Sequence, residues 1–201
     1  YRNHAITQRV VADTLTLLRT YDVDGIRIDA AKHMDHVIMR TLSKRIREDI
    51  EVGDAASFYI VGETFTGGDG HEQLMAYVNE WELDGQFDFP LYWSIRNAFN
   101  GGSFRDLENQ VQVGIDSYGN ATMAPFFGNH DVARWSTELA GNAQGPFEST
   151  EDLMATGDSV TQWDLINSIS QSMLFTFTQP GVPLLYYGDE IGLAGDGDPD
   201  N

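Results

Sequence analysis

Cysteine is absent from the 201 residues, which removes disulfides, thiolate catalysis and every cysteine-ligated metal site together. It also leaves the redox compartment unreadable. Basic residues are scarce: 12 Lys and Arg stand against 31 Asp and Glu, a formal net charge of −19. No Lys/Arg cluster interrupts the acidic excess, so a nucleic-acid partner is excluded and an anionic membrane surface is disfavoured. No apolar run approaches the roughly 20 residues of a membrane helix. A signal-peptide pattern is missing too, the first residue is Tyr1, and the last seven, Gly195 to Asn201, stop inside a loop-like run. We expect an internal piece of a longer chain, with any localisation signal upstream. What is present is ample for one packed domain: 41% hydrophobic residues, 11% aromatic and 20 Gly.

Two periodicities alternate along the chain. Val11, Leu15 and Leu18 mark an amphipathic helix over residues 6–19, and Ile38, Leu42, Ile46 and Ile50 mark another over 37–50. Between them the run from Val23 to Asp29 alternates as a strand, with Arg27 and Asp29 on one face and Ile26 and Ile28 on the other. Phe58 to Glu63 predicts a second strand, Gln86 to Phe89 a third, Pro125 to Asp131 a fourth and Pro183 to Tyr187 a fifth. Helical patterns follow the third strand through about Val111, and Trp163 to Phe177 is apolar enough for a buried helix. Strands separated by helices argue for parallel βαβ units.

Three of these strands end on a carboxylate. Asp29 and Glu63 are 34 residues apart, and Glu63 and Asp131 are 68 apart, twice that. The spacing places all three at C-terminal strand ends, where a (β/α)8 barrel carries its chemistry. A doubly wound open sheet is the competing fold, and it calls for a phosphate-binding turn. Gly67-Gly68-Asp69-Gly70 has neither the spacing nor the Lys of such a turn. The expected fold is therefore α/β, with residues 1–201 forming part of one (β/α)8 barrel, roughly its fourth to eighth strands. The strands that would precede these are not in the sequence.

Strand-end carboxylates without cysteine or a His cluster suit glycoside cleavage, in which one carboxylic acid protonates the leaving oxygen while a carboxylate attacks or activates water. Arg27 shares its strand face with Asp29 and would favour the ionised carboxylate that an attacking group needs. Glu63, beside Val61, Gly62 and Phe65, is the residue whose burial would suit an acid. A single Asp at a strand end is ordinarily a helix cap or a solvated charge; it is the set of three that points to chemistry.

The motifs then become specific. The run Gly25-Ile26-Arg27-Ile28-Asp29-Ala30-Ala31-Lys32-His33 resembles the second conserved region of the α-amylase family, glycoside hydrolase family 13. Val61-Gly62-Glu63 resembles its third region, Phe126 to Asp131 its fourth, and Gly181 to Glu190 its eighth-strand segment. This resemblance spans essentially the whole chain and implies roles by position. Asp29 would be the nucleophile, Glu63 the general acid/base and Asp131 the transition-state stabiliser. Arg27 would orient the nucleophile, His130 would bond sugar hydroxyls, and Lys32 and His33 would line the leaving-group side. It also implies a structural Ca2+ for the intact protein, completed in many members by the backbone carbonyl matching His33; most of that site lies outside this chain. Chloride activation is not expected: Arg27 and Asn129 match two ligands of the chloride-dependent members, but the third position falls near apolar Leu184.

The implied partner is an α-glucan such as starch, glycogen or maltodextrin, cleaved at α-1,4 links with retention. A transglycosylase or exo-acting α-glucosidase is the alternative within the same chemistry. From other classes come a catalytically inactive sugar-binding homologue, which keeping all three carboxylates argues against, and a Mg2+-dependent barrel enzyme, which leaves Asn129-His130-Asp131 unexplained. Among the tryptophans, Trp135 lies four residues after Asp131 in a loop-like run and is the candidate for stacking on a sugar. The acidic tail from Asp196 reads as a solvated cleft loop, since Pro199 and the missing distal Glu argue against an EF-hand.

Overall fold

The computed structural model describes residues 3–51, 57–141 and 162–196. The chain divides into two compact units, Tyr1–Phe87 with Ser117–Ala124, and Asp88–Asp116 with Pro125–Asn201.

In the first unit, helix α1 (His4–Tyr21) starts at Asn3, whose side chain accepts the Ala5 N–H, and ends at Asp22 in the left-handed region. Helix α2 (His36–Asp49) is capped in the same way by Asp35, which accepts from Val37. The stripes predicted from spacing are the buried ones: Val11, Leu15 and Leu18 on α1, and Ile38, Leu42 and Ile46 on α2. All of these except Ile38 pack with Ile28, Phe58, Ile60 and Leu83 in one core. Each fully buried Leu or Ile contributes about 1.5–3 kcal/mol.

Strands β1 (Gly25–Ile28), β2 (Tyr59–Gly62) and β3 (Gly85–Gln86) form a parallel sheet in that order. The register pairs Ile28 with Gly62 in β1 and β2, and Gly62 with Gln86 in β2 and β3. Crossover by α2 between β1 and β2 is the βαβ unit that the alternation of periods predicts. The third strand is shorter than predicted. Phe87 pairs with Ala124 in an isolated bridge, and beyond it Asp88 turns the chain into a helix by accepting the Leu91 N–H. The short helix α3 (His71–Met75) precedes this strand.

The second unit is helical among its described residues: α4 (Phe89–Phe99), α5 (Phe104–Tyr118, its last two residues in the first unit), α6 (Trp135–Leu139) and α7 (Gln162–Phe177). Its core gathers Leu91, Ile95, Leu107, Phe127, Trp135, Leu139 and Ile169. Two expectations are corrected here. The segments 125–131 and 183–187 are not strands, since a strand needs a repeating ladder and they share the single bond from Leu184 N–H to the Pro125 carbonyl at 2.9 Å. Helix α7 is not buried all round. Ile169, Ser172 and Thr176 form its inward strip, while Trp163 is 74% exposed and Leu174 67%.

Candidate active site

The ladder of β1 and β2 runs one step past the strands. Glu63 N–H donates to the Ile28 carbonyl at 2.8 Å, and Ala31 N–H donates to the Glu63 carbonyl at 2.7 Å. Asp29 and Glu63 therefore leave neighbouring strand ends side by side. Arg27 reaches both: its Nη2 lies 2.7 Å from Asp29 Oδ1 and 3.7 Å from Glu63 Oε2. The guanidinium also lies over the Phe87 ring, 5.4 Å from its centre, so one apolar face holds the cation that two carboxylates share.

The two carboxylates sit in different surroundings. The side chain of Asp29 is 69% exposed, and that of Glu63 only 7%. Behind Glu63 the chain turns sharply: Ala30 adopts φ 46°, a left-handed conformation that costs an alanine roughly 1–2 kcal/mol. That turn aims the Ala30 N–H at Glu63 Oε2, 2.9 Å away. Gly62 is tied to this packing, because a Cβ there would lie 2.5 Å from Leu83 Cδ1 and 3.3 Å from Ala31 Cβ.

The following 3-10 turn, Ala31–His33, carries Lys32 and His33. Lys32 Nζ donates to the Phe65 carbonyl at 2.6 Å, and the Lys32 carbonyl accepts from Tyr77 Oη at 3.1 Å. Tyr77 in turn stacks on His36, whose Nδ1 meets the buried Glu82 at 2.9 Å. Lys32 is thus held as a strut between two loops, and His33 is exposed.

His130 and Asp131 belong to the second unit. Asn129 is buried there, and its Oδ1 accepts the Asp131 N–H at 3.0 Å in a tight turn. The two side chains that follow point outward together, with His130 Nε2 3.3 Å from Asp131 Oδ1.

Two sequence expectations fail at this level. Trp135 is not a sugar platform: it is 1% exposed in the core, and its indole N–H donates to Ser172 Oγ at 3.0 Å. Asp196 is not solvated but fully buried, drawn in by the bonds that Gly195 makes to Thr137 Oγ1 and Arg134 N–H. The tail beyond it lies outside the described residues. Sequence reasoning also passed over Arg96, which is 3% exposed on α4. Its signal was a lone charge inside the apolar run Phe89-Pro90-Leu91-Tyr92-Trp93-Ser94-Ile95-Arg96.

The profile of the alpha-amylase catalytic domain matches residues 1–198. The chain belongs to that family. Alpha-amylase 1 of Lipomyces kononenkoae is 28% identical over 92% of this chain, and the cyclomaltodextrin glucanotransferase of Niallia circulans is 27% identical over 99%. Each match covers 24% of that relative, so the chain spans about a quarter of the length of these two curated members. Among solved structures, the alpha-amylase of Geobacillus thermoleovorans complexed with acarbose superposes with a TM-score of 0.77 at 24% identity. That match covers 99% of this chain and 39% of the other. The α/β fold is therefore that of the α-amylase barrel domain, and the three parallel strands with their helices are part of it.

Proposed function

We propose that the protein is a retaining glycoside hydrolase acting on α-1,4-linked glucans, and that residues 1–201 supply the part of its barrel that begins at its fourth strand. The observation that carries the mechanism is the single Arg27 nitrogen shared by Asp29 and Glu63. Those two carboxylate oxygens can be no farther apart than the sum of 2.7 Å and 3.7 Å. Two carboxylates gathered on one guanidinium nitrogen support the close pair of a retaining enzyme over the wider, roughly 6.5–9.5 Å pair of an inverting one.

In this reading Asp29, exposed and paired to Arg27, attacks the anomeric carbon while Glu63 gives its proton to the departing glycosidic oxygen. The C–O bond breaks, and a glycosyl ester forms on Asp29. Glu63, now a carboxylate, takes a proton from water, which displaces the ester and restores the starting configuration. His130 would bond a sugar hydroxyl, and Asp131 would stabilise the cationic transition state. Lys32 and His33 would line the side from which the leaving group departs. Because a glucanotransferase is among the relatives, a sugar hydroxyl replacing that water is the second reading, in which the same chain runs as a transglycosylase.

The family's calcium is not built by these residues alone. Ca2+ takes about 6–8 oxygen ligands. Among the described residues no three His, Asp or Glu side chains converge to hold an ion, and the resemblance would have His33 contribute its backbone carbonyl. No step above passes through a metal.

Proton NMR of the first reducing ends released from an α-glucan, recorded before mutarotation, tests the mechanism. Retention gives the α-anomer first. A β-anomer appearing first overturns Asp29 as nucleophile.

A further inference from the structure

The segment Gly128–Val132 carries His130 and Asp131 but has no strand ladder, so something else must hold it. Arg96 touches it at both ends. From α4 its Nη1 donates to the Phe127 carbonyl at 2.9 Å and its Nη2 to the Ala133 carbonyl at 3.0 Å. These two carbonyls flank the segment on either side. The guanidinium is itself fixed: Glu138 Oε2 accepts from its Nε at 2.8 Å, and the rings of Tyr92 and Trp135 lie 5.2 Å and 4.9 Å from it.

We infer that Arg96 is a positioning residue that closes the Gly128–Val132 loop and sets where Asp131 stands during glycoside cleavage. This rests on the glycosidase reading above. The planar fork of a guanidinium can bond two carbonyls and a carboxylate at once along fixed directions, which a lysine ammonium cannot reproduce. Asp189 packs against the same loop. A Cβ on Gly128 would lie 2.5 Å from Asp189 Oδ2, and Asp189 Oδ1 lies 3.3 Å from Arg134 Nη1. Arg96 differs in reaching both ends with one group.

The test is a double-mutant cycle in the intact protein, read by steady-state kinetics on an activated α-maltoside and by amide hydrogen exchange. Arg96→Met should lower kcat about 100-fold, the cost of a displacement near 1 Å, with KM moving less than about threefold. Arg96→Lys should fall between Met and wild type. In an Asp131→Asn background Arg96→Met should cost no more than about threefold further, because the group it positions is already gone. Amides of 128–132 should exchange at least about tenfold faster in Arg96→Met, with 25–30 and 59–63 unchanged. Multiplying losses, or unaltered exchange in the loop, overturns the inference. Should Arg96→Met fail to fold, Arg96→Lys carries the same cycle. An intact wild-type protein with no glycosidase activity would overturn the glycosidase reading, and loop exchange would then decide the structural claim by itself.

Discussion

Asp29 and Glu63 stand at the ends of strands whose backbone bonds fix them, with register pairs on one side and the Glu63–Ile28 and Ala31–Glu63 bonds on the other. His130 and Asp131 stand in a segment without such a ladder, bracketed instead by the Arg96 side chain, with Asp189 packed against Gly128. The difference follows from chemistry. A ladder is made by every residue in it, so no single side chain controls it. A loop closed by side chains puts its geometry in the hands of one or two residues, and those residues must be buried to be strong. In the first unit a substitution at the site should therefore remove chemistry and leave placement intact. In the second, substitutions far from any sugar should move the site.

Glu63→Gln is the sharpest way to break that contrast. The change keeps the shape of a buried side chain, so the ladder should hold and the thermal midpoint should move little. Without a proton donor, hydrolysis of natural glucans should fall by several orders of magnitude, while substrates with good leaving groups recover most of the rate of the first step. Parallel kinetics on starch and on an activated α-maltoside would show it. Arg96→Met should instead lose a similar factor on both. An equal loss on both substrates for Glu63→Gln would mean that it is not the acid, or that the ladder does not hold the site.

Two glycines compare the frameworks directly. A Cβ at Gly85 in β3 would fall 1.8 Å from the backbone carbonyl oxygen of Thr122, which already accepts from Tyr59 Oη and cannot swing away. At Gly128 the nearest atom is the tip of the Asp189 side chain, 2.5 Å away, which can rotate. Gly85→Ala should cost at least about 3 kcal/mol in urea unfolding, and Gly128→Ala clearly less. Gly128→Ala should nonetheless lower kcat by pushing Asp189 off its place beside Arg134. Equal stability losses would erase the distinction between a ladder and a side-chain closure.

How far the sequence revealed this molecule follows the same divide. Val11, Leu15 and Leu18, and Ile38, Leu42 and Ile46, repeat at helical spacing because a buried stripe must, and the alternation over Arg27 and Asp29 marks β1 for the same reason. The pairing of Asp29 with Glu63 was legible because each closes a strand. The runs 125–131 and 183–187 look like strands because coil packed into a core selects the same apolar residues, and only hydrogen bonds tell them apart. Trp135 looks like a loop aromatic until Ser172, 37 residues on, accepts its indole N–H. Arg96 shows only as a lone charge in an apolar run, and its partners at 127, 133 and 138 are set by tertiary packing, to which local spacing is blind.

Asp189 offers the finest test of the side-chain closure, through pH. Its carboxyl is pushed up to about 6, chiefly by burial, with Arg134 and Arg96 opposing and Glu190 adding to the rise. An unfolded Asp gives up its proton near 3.8, so between there and about pH 6 the folded chain holds more protons than the unfolded one. Stability from this group is then greatest below about pH 4 and declines as pH rises to about 6, reversing the usual carboxylate trend. A shift of this size corresponds to roughly 2–3 kcal/mol, an upper figure for a group beside a buried arginine. Asp189→Asn removes the titration without changing the shape, while every other carboxylate titrates alike in both proteins. The difference between wild type and Asp189→Asn in urea-unfolding free energy, measured from pH 4 to pH 7, should therefore move against the wild type as pH rises. If the difference stays flat, burial does not control Asp189. If it moves in favour of the wild type, the ion pair with Arg134 outweighs the desolvation, and the loop is fastened more tightly when charged than when neutral.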